Sequence, residues 1–269
     1  MSLHECSIQE IADEVQNGTL LGVPADYSGV PMAFVRELIR QGKSELDLFC
    51  LPQSTLQADM LIGAGCVRSV ETAAVTLGEY GQAPCFTRFV QEGRLNVKDS
   101  TCPALHAALQ ATERAVPFSP LRGLIGSDLV KHRPDWQVIS NPFSDQEDPV
   151  ILIPAVSPDV TVIHAQKADK NGNVWIGRRK EVATLIHASK RNFVTVEEIV
   201  DTDFYEDEVL AAGVLPGFYI EAIAVAKDGA WPLALSDRYP IDEAHLKDYA
   251  TRAKTEEGFA TYLAENLAA

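Results

Sequence analysis

The sequence predicts an α/β fold, with a parallel or mixed sheet flanked by helices. Two observations carry this. The runs Val150–Pro154 and Val160–Gln166 are apolar without polar alternation, and the second is rich in β-branched residues; this pattern suits strands covered on both faces. The first sixty residues alternate short apolar runs with helix-periodic segments, the rhythm of right-handed β-α-β crossovers onto one sheet. Residues 150–177 are read as the centre of that sheet, closed by the turn chemistry of Asp169-Lys-Asn-Gly-Asn173 before Val174-Trp175-Ile176.

The elements follow in order. Ser7-Ile-Gln-Glu10 is a capping-box pattern, and Ile8, Ile11, Ala12 and Val15 continue at helical spacing until Asn17-Gly18. A strand is expected over Thr19–Val23, then a loop over Pro24–Val30. Pro31 opens a helix through Ile39 that stops at Gln41-Gly42. Leu46–Leu51 reads as a strand, and Ser54 as the cap of a short helix through Ile62. Gly63-Ala64-Gly65 is a tight turn, with an extended segment over Val67–Leu77. Phe86–Gln91 reads as helix, Leu95 and Val97 as a short strand, and Thr101 as the cap of a helix over Pro103–Ala115. Five prolines between Pro117 and Pro149 argue for a long ordered loop. A helix over Arg179–Ala188, strands over Phe193–Val196 and Ile220–Ala226, and a helical tail over Asp242–Leu267 complete the chain. No repeat is found, and one domain over residues 1–269 is the economical reading.

With 46% hydrophobic and 23% charged residues the composition is that of a soluble globular protein, and no apolar run reaches the ~20 residues of a membrane span. A net charge of −15 disfavours nucleic acid and anionic membrane as partners. The acidic N-terminus lacks the apolar segment of a secretory signal. Cys6, Cys50, Cys66, Cys85 and Cys102 form neither a disulfide framework nor a metal site, which points to a reducing, cytoplasmic setting without a bound metal.

Motifs taken as chemistry alone are weak. Gly63-Ala64-Gly65 lacks the spacing of a phosphate-cradling loop. His164 sits in an apolar strand and reads as a hydrogen-bonded core histidine. Lys131-His132-Arg133, with Arg122, could meet a phosphate, but a solvated loop is the default. Glu197-Glu198 and Glu206-Asp207-Glu208 read as solvated charge. Glu79-Tyr80-Gly81 puts a carboxylate on a turn, and no GxSxG elbow is present.

Nine phrases in order resemble the α (A) subunit of family I CoA-transferases, closest to the glutaconate CoA-transferase type. They are PMAFVRELIRQG at 31–42, DMLIGAGCV at 59–67, APCFTRFVQEGRL at 83–95, PFSPLRGLIGSDL at 117–129, NPF at 141–143, PAVSPDVTVIHAQKADKNGN at 154–173, VTVEEIV at 194–200, LPG at 215–217 and DGAWPLALSDRYPID at 228–242. The resemblance implies a three-layer α/β/α sandwich with an open, mostly parallel sheet, of the NagB/RpiA/CoA-transferase-like kind. It implies coenzyme A as a substrate, with no permanently bound cofactor, and acyl-CoA and carboxylic acids as the other substrates. The attacking glutamate is expected on a partner β subunit, where it forms a glutamyl-CoA thioester. Glu79 is accordingly read as a decoy. Gly22, Gly63, Gly65, Ser100 and Ser127 are expected to line the substrate and CoA site.

Two departures bear on the site. The glycine-rich loop of the family is reduced to Leu21-Gly22-Val23-Pro24-Ala25-Asp26, and the family's Gly-Ala-His-Pro becomes Gly229-Ala230-Trp231-Pro232. An alternative enzyme is a CoA-thioester or carbon–carbon hydrolase on the same scaffold. Its base would be Asp99 in VKDST, against a reading of Asp99 as the residue that ends a strand and caps the turn before Pro103. A non-enzymatic scaffold or sugar-phosphate-binding domain lacks its phosphate loop.

Overall fold

The structure is a computed structural model that describes residues 3–25 and 29–267. It begins with α1 (Ile8–Asp13), where the capping box forms: Ser7 N–H donates to Glu10 Oε2 and Glu10 N–H to Ser7 Oγ. β1 (Leu20–Val23), α2 (Met32–Arg40), β2 (Leu46–Cys50), α3 (Leu56–Gly63), β3 (Val67–Thr72), α4 (Pro84–Gln91), β4 (Asn96–Asp99) and α5 (Cys102–Glu113) then alternate as expected. Ser54 does not cap α3; its hydroxyl donates back to the Leu51 carbonyl, and Thr55 takes the cap position. Residues 26–28 of the expected early loop, Asp26 among them, lie outside the described residues.

The stretch of five prolines is not a loop. β5 (Phe118–Leu121), β6 (Gln137–Ser140) and β7 (Pro149–Pro154) form a separate antiparallel ribbon in the order β5-β7-β6. Val150–Pro154 is therefore not in the central sheet. Its lack of alternation correctly signalled burial, but Ile151 and Ile153 pack with Leu105 and Leu109 of α5 instead of inside the main sheet. Pro117, Pro134, Pro142 and Pro149 fall at strand ends or in connections, and Pro120 lies inside β5, an edge strand of the ribbon where proline is tolerated.

β8 (Val160–Asp169), β9 (Val174–Trp175), α6 (Lys180–Ala188), β10 (Arg191–Val200), α7 (Glu208–Ala211), β11 (Val214–Leu215) and β12 (Ala222–Val225) follow. The turn after β8 is built as the sequence implied. Asp169 Oδ1 accepts from the N–H groups of Asn171 and Asn173, and Gly172 takes φ +84°. Glu206-Asp207-Glu208 is more ordered than expected, because the Asp207 carboxylate caps α7. The tail is two helices, α8 (Glu243–Arg252) and α9 (Glu256–Asn266), split where Thr255 caps the second.

The parallel strands run in the order β12-β10-β8-β1-β2-β3-β4, with β9 antiparallel to the outer half of β8 and β11 antiparallel to β9 in turn. Successive residues face opposite layers. Leu48 and Cys50 join the core beneath α2, α3 and α9, whereas Phe49 and Leu51 join the one beneath α5 and α6. This is the three-layer sandwich. The chain starts in the middle at β1, winds out to β4, and returns on the other side of β1 at β8. The usual ligand position in such sheets is beyond the strand ends where the winding direction reverses.

Candidate functional site

The reversal point is set by a close approach. Gly22 on β1 pairs with Thr161 on β8, and a Cβ there would stand 2.1 Å from Thr161 Oγ1. The absent side chain serves the β1–β8 seam. Beyond β1 the chain returns through Gly29, whose φ of +78° places its carbonyl to accept from His164 N–H at 3.1 Å. A Cβ on Gly29 would lie 1.9 Å from the His164 carbonyl oxygen.

On one side of this point, β3 and β4 end beside a pocket of about 710 Å³ lined by Thr72, Asp99, Asp128 and His132, among others. Asp99 is exposed, and its carboxylate has no hydrogen-bond partner among the described residues. It ends β4, but Thr101 Oγ1 supplies the cap for α5 by accepting from Ala104 N–H. Ser100 is buried, its N–H donates to the Thr72 carbonyl, and its hydroxyl has no partner in the structure. Ser127 precedes the 3₁₀ turn Asp128–His132 and donates to the Leu124 carbonyl, which brings it to the border of this region.

Arg133 holds the ribbon against these strand ends. Its guanidinium donates to Asp135 Oδ1 and Oδ2, to Glu71 Oε1 at 2.8 Å and to the Asp99 carbonyl at 2.9 Å, and lies 4.2 Å from the centre of the Trp136 ring. The Lys131-His132-Arg133 cluster is thus not a uniform solvated loop. Lys131 pairs with Asp128 at the surface, Arg122 pairs with Asp148, and Arg133 is 4% exposed and structural.

Gly63 and Gly65 lie elsewhere. Gly63 is the last residue of α3 and Gly65 lies between α3 and β3, so both sit toward the N-terminal end of β3, away from the C-terminal strand ends beside Thr72 and Asp99. A Cβ on Gly63 would meet Cys85 Sγ at 2.5 Å and Phe259 at 2.7 Å, so this glycine lets α3, α4 and α9 approach. Gly65, at φ +75°, ends the helix. Glu79 is exposed on a 3₁₀ turn over Gly78–Tyr80.

On the other side of the reversal point, His164 is the expected core histidine. Burial lowers its pKa below the ordinary value, so the ring is neutral. Thr195 Oγ1 then donates to Nδ1, and Nε2–H donates to Glu197 Oε1, each at 2.9 Å. Glu197 corrects the reading of Glu197-Glu198 as solvated charge. Its side chain is 11% exposed and accepts also from Tyr239 Oη and from the Asp228 and Gly229 N–H groups. Burial opposes its ionisation, but the donors from His164, Tyr239 and Asp228 win and hold it down to about 2.

Arg179, before α6, is a residue that sequence reasoning missed. Its Nε donates to the Ile176 carbonyl at 3.1 Å, and Nη1 lies 2.6 Å from where a Gly29 Cβ would stand. Burial pulls its pKa below the usual arginine value, but it remains a cation at neutral pH. It lines a pocket of about 580 Å³ with Gln166, Trp175, Arg178, Ser236 and Asp237. Its only sequence signal was a pair of arginines after a turn in an acidic chain. Among the described residues, no group of three or more His, Cys, Asp or Glu side chains is placed to hold a metal, and no helix is long and apolar enough to cross a membrane.

The family description "Coenzyme A transferase" matches residues 5–226. The chain is 34% identical over 260 residues to the A subunit of 3-oxoadipate CoA-transferase from Pseudomonas knackmussii, covering 94% of this chain and 89% of the relative. It is 36% identical over 237 residues to an uncharacterised protein of Archaeoglobus fulgidus, covering 87% of this chain but only 52% of that longer protein. It is 26% identical over 270 residues to the cholesterol ring-cleaving hydrolase IpdA subunit of Rhodococcus jostii, covering 97% of this chain and 90% of the relative. Among solved structures, glutaconate coenzyme A-transferase from Acidaminococcus fermentans superimposes with a TM-score of 0.90 at 27% identity, covering 97% of this chain and 88% of that one. The decarboxylase AibA/AibB gives 0.85 at 30% identity, covering 98% and 100%.

Proposed function

The chain belongs to the coenzyme A transferase family, and on that premise we propose that it is the α (A) subunit of a heteromeric CoA-transferase that moves CoA between carboxylic acids. The observation that carries the reading is near full-length similarity to a relative named as the A subunit of a CoA-transferase. The A subunit of glutaconate CoA-transferase, 29% identical over 254 residues, supports the same assignment. In this reading the attack on the acyl-CoA carbonyl comes from a glutamate of the partner subunit. CoA thiolate leaves as the acyl-enzyme anhydride forms and attacks its glutamyl carbonyl, which releases the donor acid and gives a glutamyl-CoA thioester. The acceptor carboxylate then displaces CoA to form a second anhydride, whose acyl carbon takes CoA back and frees the glutamate. This chain supplies one wall of the site in this reading: the strand ends on either side of the β1–β8 reversal, with Asp99 on the pocket beside β3 and β4 and Ser100 next to it in the chain. The five free cysteines fit the cytoplasmic setting we assign, and packing of all three core clusters against one sheet fits a single domain.

A second reading has one specific support. Asp99 is exposed on its pocket without a partner among the described residues, as a base that activates water would be, and relatives include a hydrolase subunit. The transferase reading ranks above it because the transferase relative is more similar, at 34% against 26% identity. The complex with its partner subunit, assayed with acyl-CoA and an acceptor acid, should transfer CoA, and borohydride trapping should label the partner and leave Glu79 unlabelled. Asp99→Asn should lower transfer by less than about tenfold, below the ~10²–10⁴-fold that a working base contributes. Acceptor-independent CoA release that disappears in Asp99→Asn would establish the hydrolase instead.

A further inference from the structure

We propose that the outer face of the ribbon β5-β7-β6, with Phe143 beside it, is the surface on which the partner subunit docks. The need for a partner rests on the transferase reading, but the place of docking stands on the ribbon itself.

Val150–Pro154 is apolar without alternation, a pattern that calls for cover on both faces of a strand. The chain supplies one cover: Ile151 and Ile153 turn onto Leu105 and Leu109 of α5. The ladder register defines the other side. Phe118 and Pro120 of β5, Leu152 and Pro154 of β7, and Gln137 and Ile139 of β6 share it. A solvated sheet face turns polar, whereas five of these six residues are apolar and none is charged. Val150 on this side is buried, yet Phe118 is 44% exposed and Ile139 38%, so the described residues leave the face open towards both edges.

Exposed apolar side chains concentrate on this ribbon. Among the described residues, six of the eleven large apolar side chains that are exposed lie between Val116 and Phe143. Phe143 is 96% exposed on the connection from β6 to β7, where its N–H donates to Asn141 Oδ1 and holds the turn. A bare phenylalanine on a fixed turn is an aromatic anchor of the kind that fills a pocket in a partner. The two edges of the ribbon also differ. β5 carries Pro120, which blunts an edge, while β6 has neither proline nor charge, and its outer edge pairs with no strand among the described residues.

The ribbon stands where a partner is required. Asp128, Leu129 and His132, on the connection from β5 to β6, wall the pocket that holds Asp99, and Arg133 ties that connection to Glu71 and to the Asp99 carbonyl. A subunit seated on the ribbon is therefore beside the strand ends to which it must bring its glutamate. A second copy of this chain fits less well, since pairing would bring two net charges of −15 together around an uncharged face.

The complex purified after co-expression with the partner subunit provides the test, its dissociation on dilution being followed by mass photometry. Phe143→Asp should raise the dissociation constant by about 30-fold or more, the loss of a hot-spot aromatic. Ile139→Lys should raise it by about tenfold. Val209→Asp, at an exposed apolar residue of α7, should leave it within about threefold. Each free variant chain should melt within about 2 °C of wild type, because the replaced side chains are exposed. Hydrogen exchange is the second readout: amides of residues 137–143 should exchange more slowly in the wild-type complex than in the free chain. Wild-type dissociation in both ribbon variants, or unslowed exchange at 137–143, overturns the proposal. So does a free chain that self-associates through Phe143 while its complex ignores the substitution, because the face then belongs to a second copy. A complex that forms through the ribbon yet transfers CoA to no acid sinks the transferase reading and leaves the docking face standing.

Discussion

Replacing Arg133 by methionine tests whether one side chain fastens the ribbon to the sheet. Methionine preserves most of the apolar stem but removes donors to Glu71, Asp135 and the Asp99 carbonyl, and the cation over Trp136. The loss at Asp135 is small, because that carboxylate is 44% exposed and water replaces the arginine. The loss at Glu71 is larger, since its side chain is 15% exposed and would be left charged without its partner. Breaking a buried pair costs about 3–5 kcal/mol, and the partial access of Glu71 places this case near about 3 kcal/mol. For a chain of this length each kcal/mol moves Tm by about 2 °C, so Arg133→Met should melt about 6 °C lower. Calorimetry measures that directly. Trp136, 6% exposed, reports the same event, because a loosened ribbon wets the indole and shifts its emission to the red. Asp135→Asn is the control and should lower Tm by less than about 2 °C. An Arg133→Met melt within about 2 °C of wild type, with unchanged emission, would refute the fastening role.

Three further outcomes are expected. Glu197 is held down to about 2 from an ordinary 4.5, so its ionised form stabilises the fold above pH 4.5, and that stability is lost as pH falls towards 2. Glu197→Gln should flatten the fall in denaturation free energy across this window; an unchanged slope would remove Glu197 as its cause. Ser100→Ala deletes a buried hydroxyl without a partner, so stability should change by less than about 1 kcal/mol in chemical denaturation, and a loss above about 2 kcal/mol would reveal an unrecognised partner. Glu79→Ala, at an exposed turn, should retain most transferase activity, and its loss would return Glu79 to the chemistry.

The regular half of this fold was readable because its signals are local. Ser7 and Glu10 meet three residues apart, and Thr101 caps a helix whose first turn it begins. The ribbon escaped notice because the apolar run of β7 was assigned to the central sheet, while β5 is short and β6 is exposed along its whole length, so nothing marked the partners of β7. The site was harder for the same reason in stronger form. Glu71 and Arg133 are 62 positions apart, and Tyr239 reaches Glu197 across 42. A carboxylate fastened by such partners looks the same in sequence as one in water. Gly22 was expected to line the site, whereas the contact that demands its smallness is strand packing against Thr161, and Arg179 is brought beside Gly29 by the fold alone.

Asp59 on α3 is wholly buried; it accepts from the N–H groups of Cys85 and Phe86 at the start of α4 and from Tyr249 Oη on α8, 190 positions away. As the chain leaves the ribosome, α3 and α4 can pair long before α8 exists. During that interval the carboxylate has its two main-chain donors but no lid, and water must fill the place of the tyrosine. The first half of the sheet therefore waits, with one layer of its core unsealed, until α8 is made. A chain cut before α8 would carry all twelve of these strands and an open core.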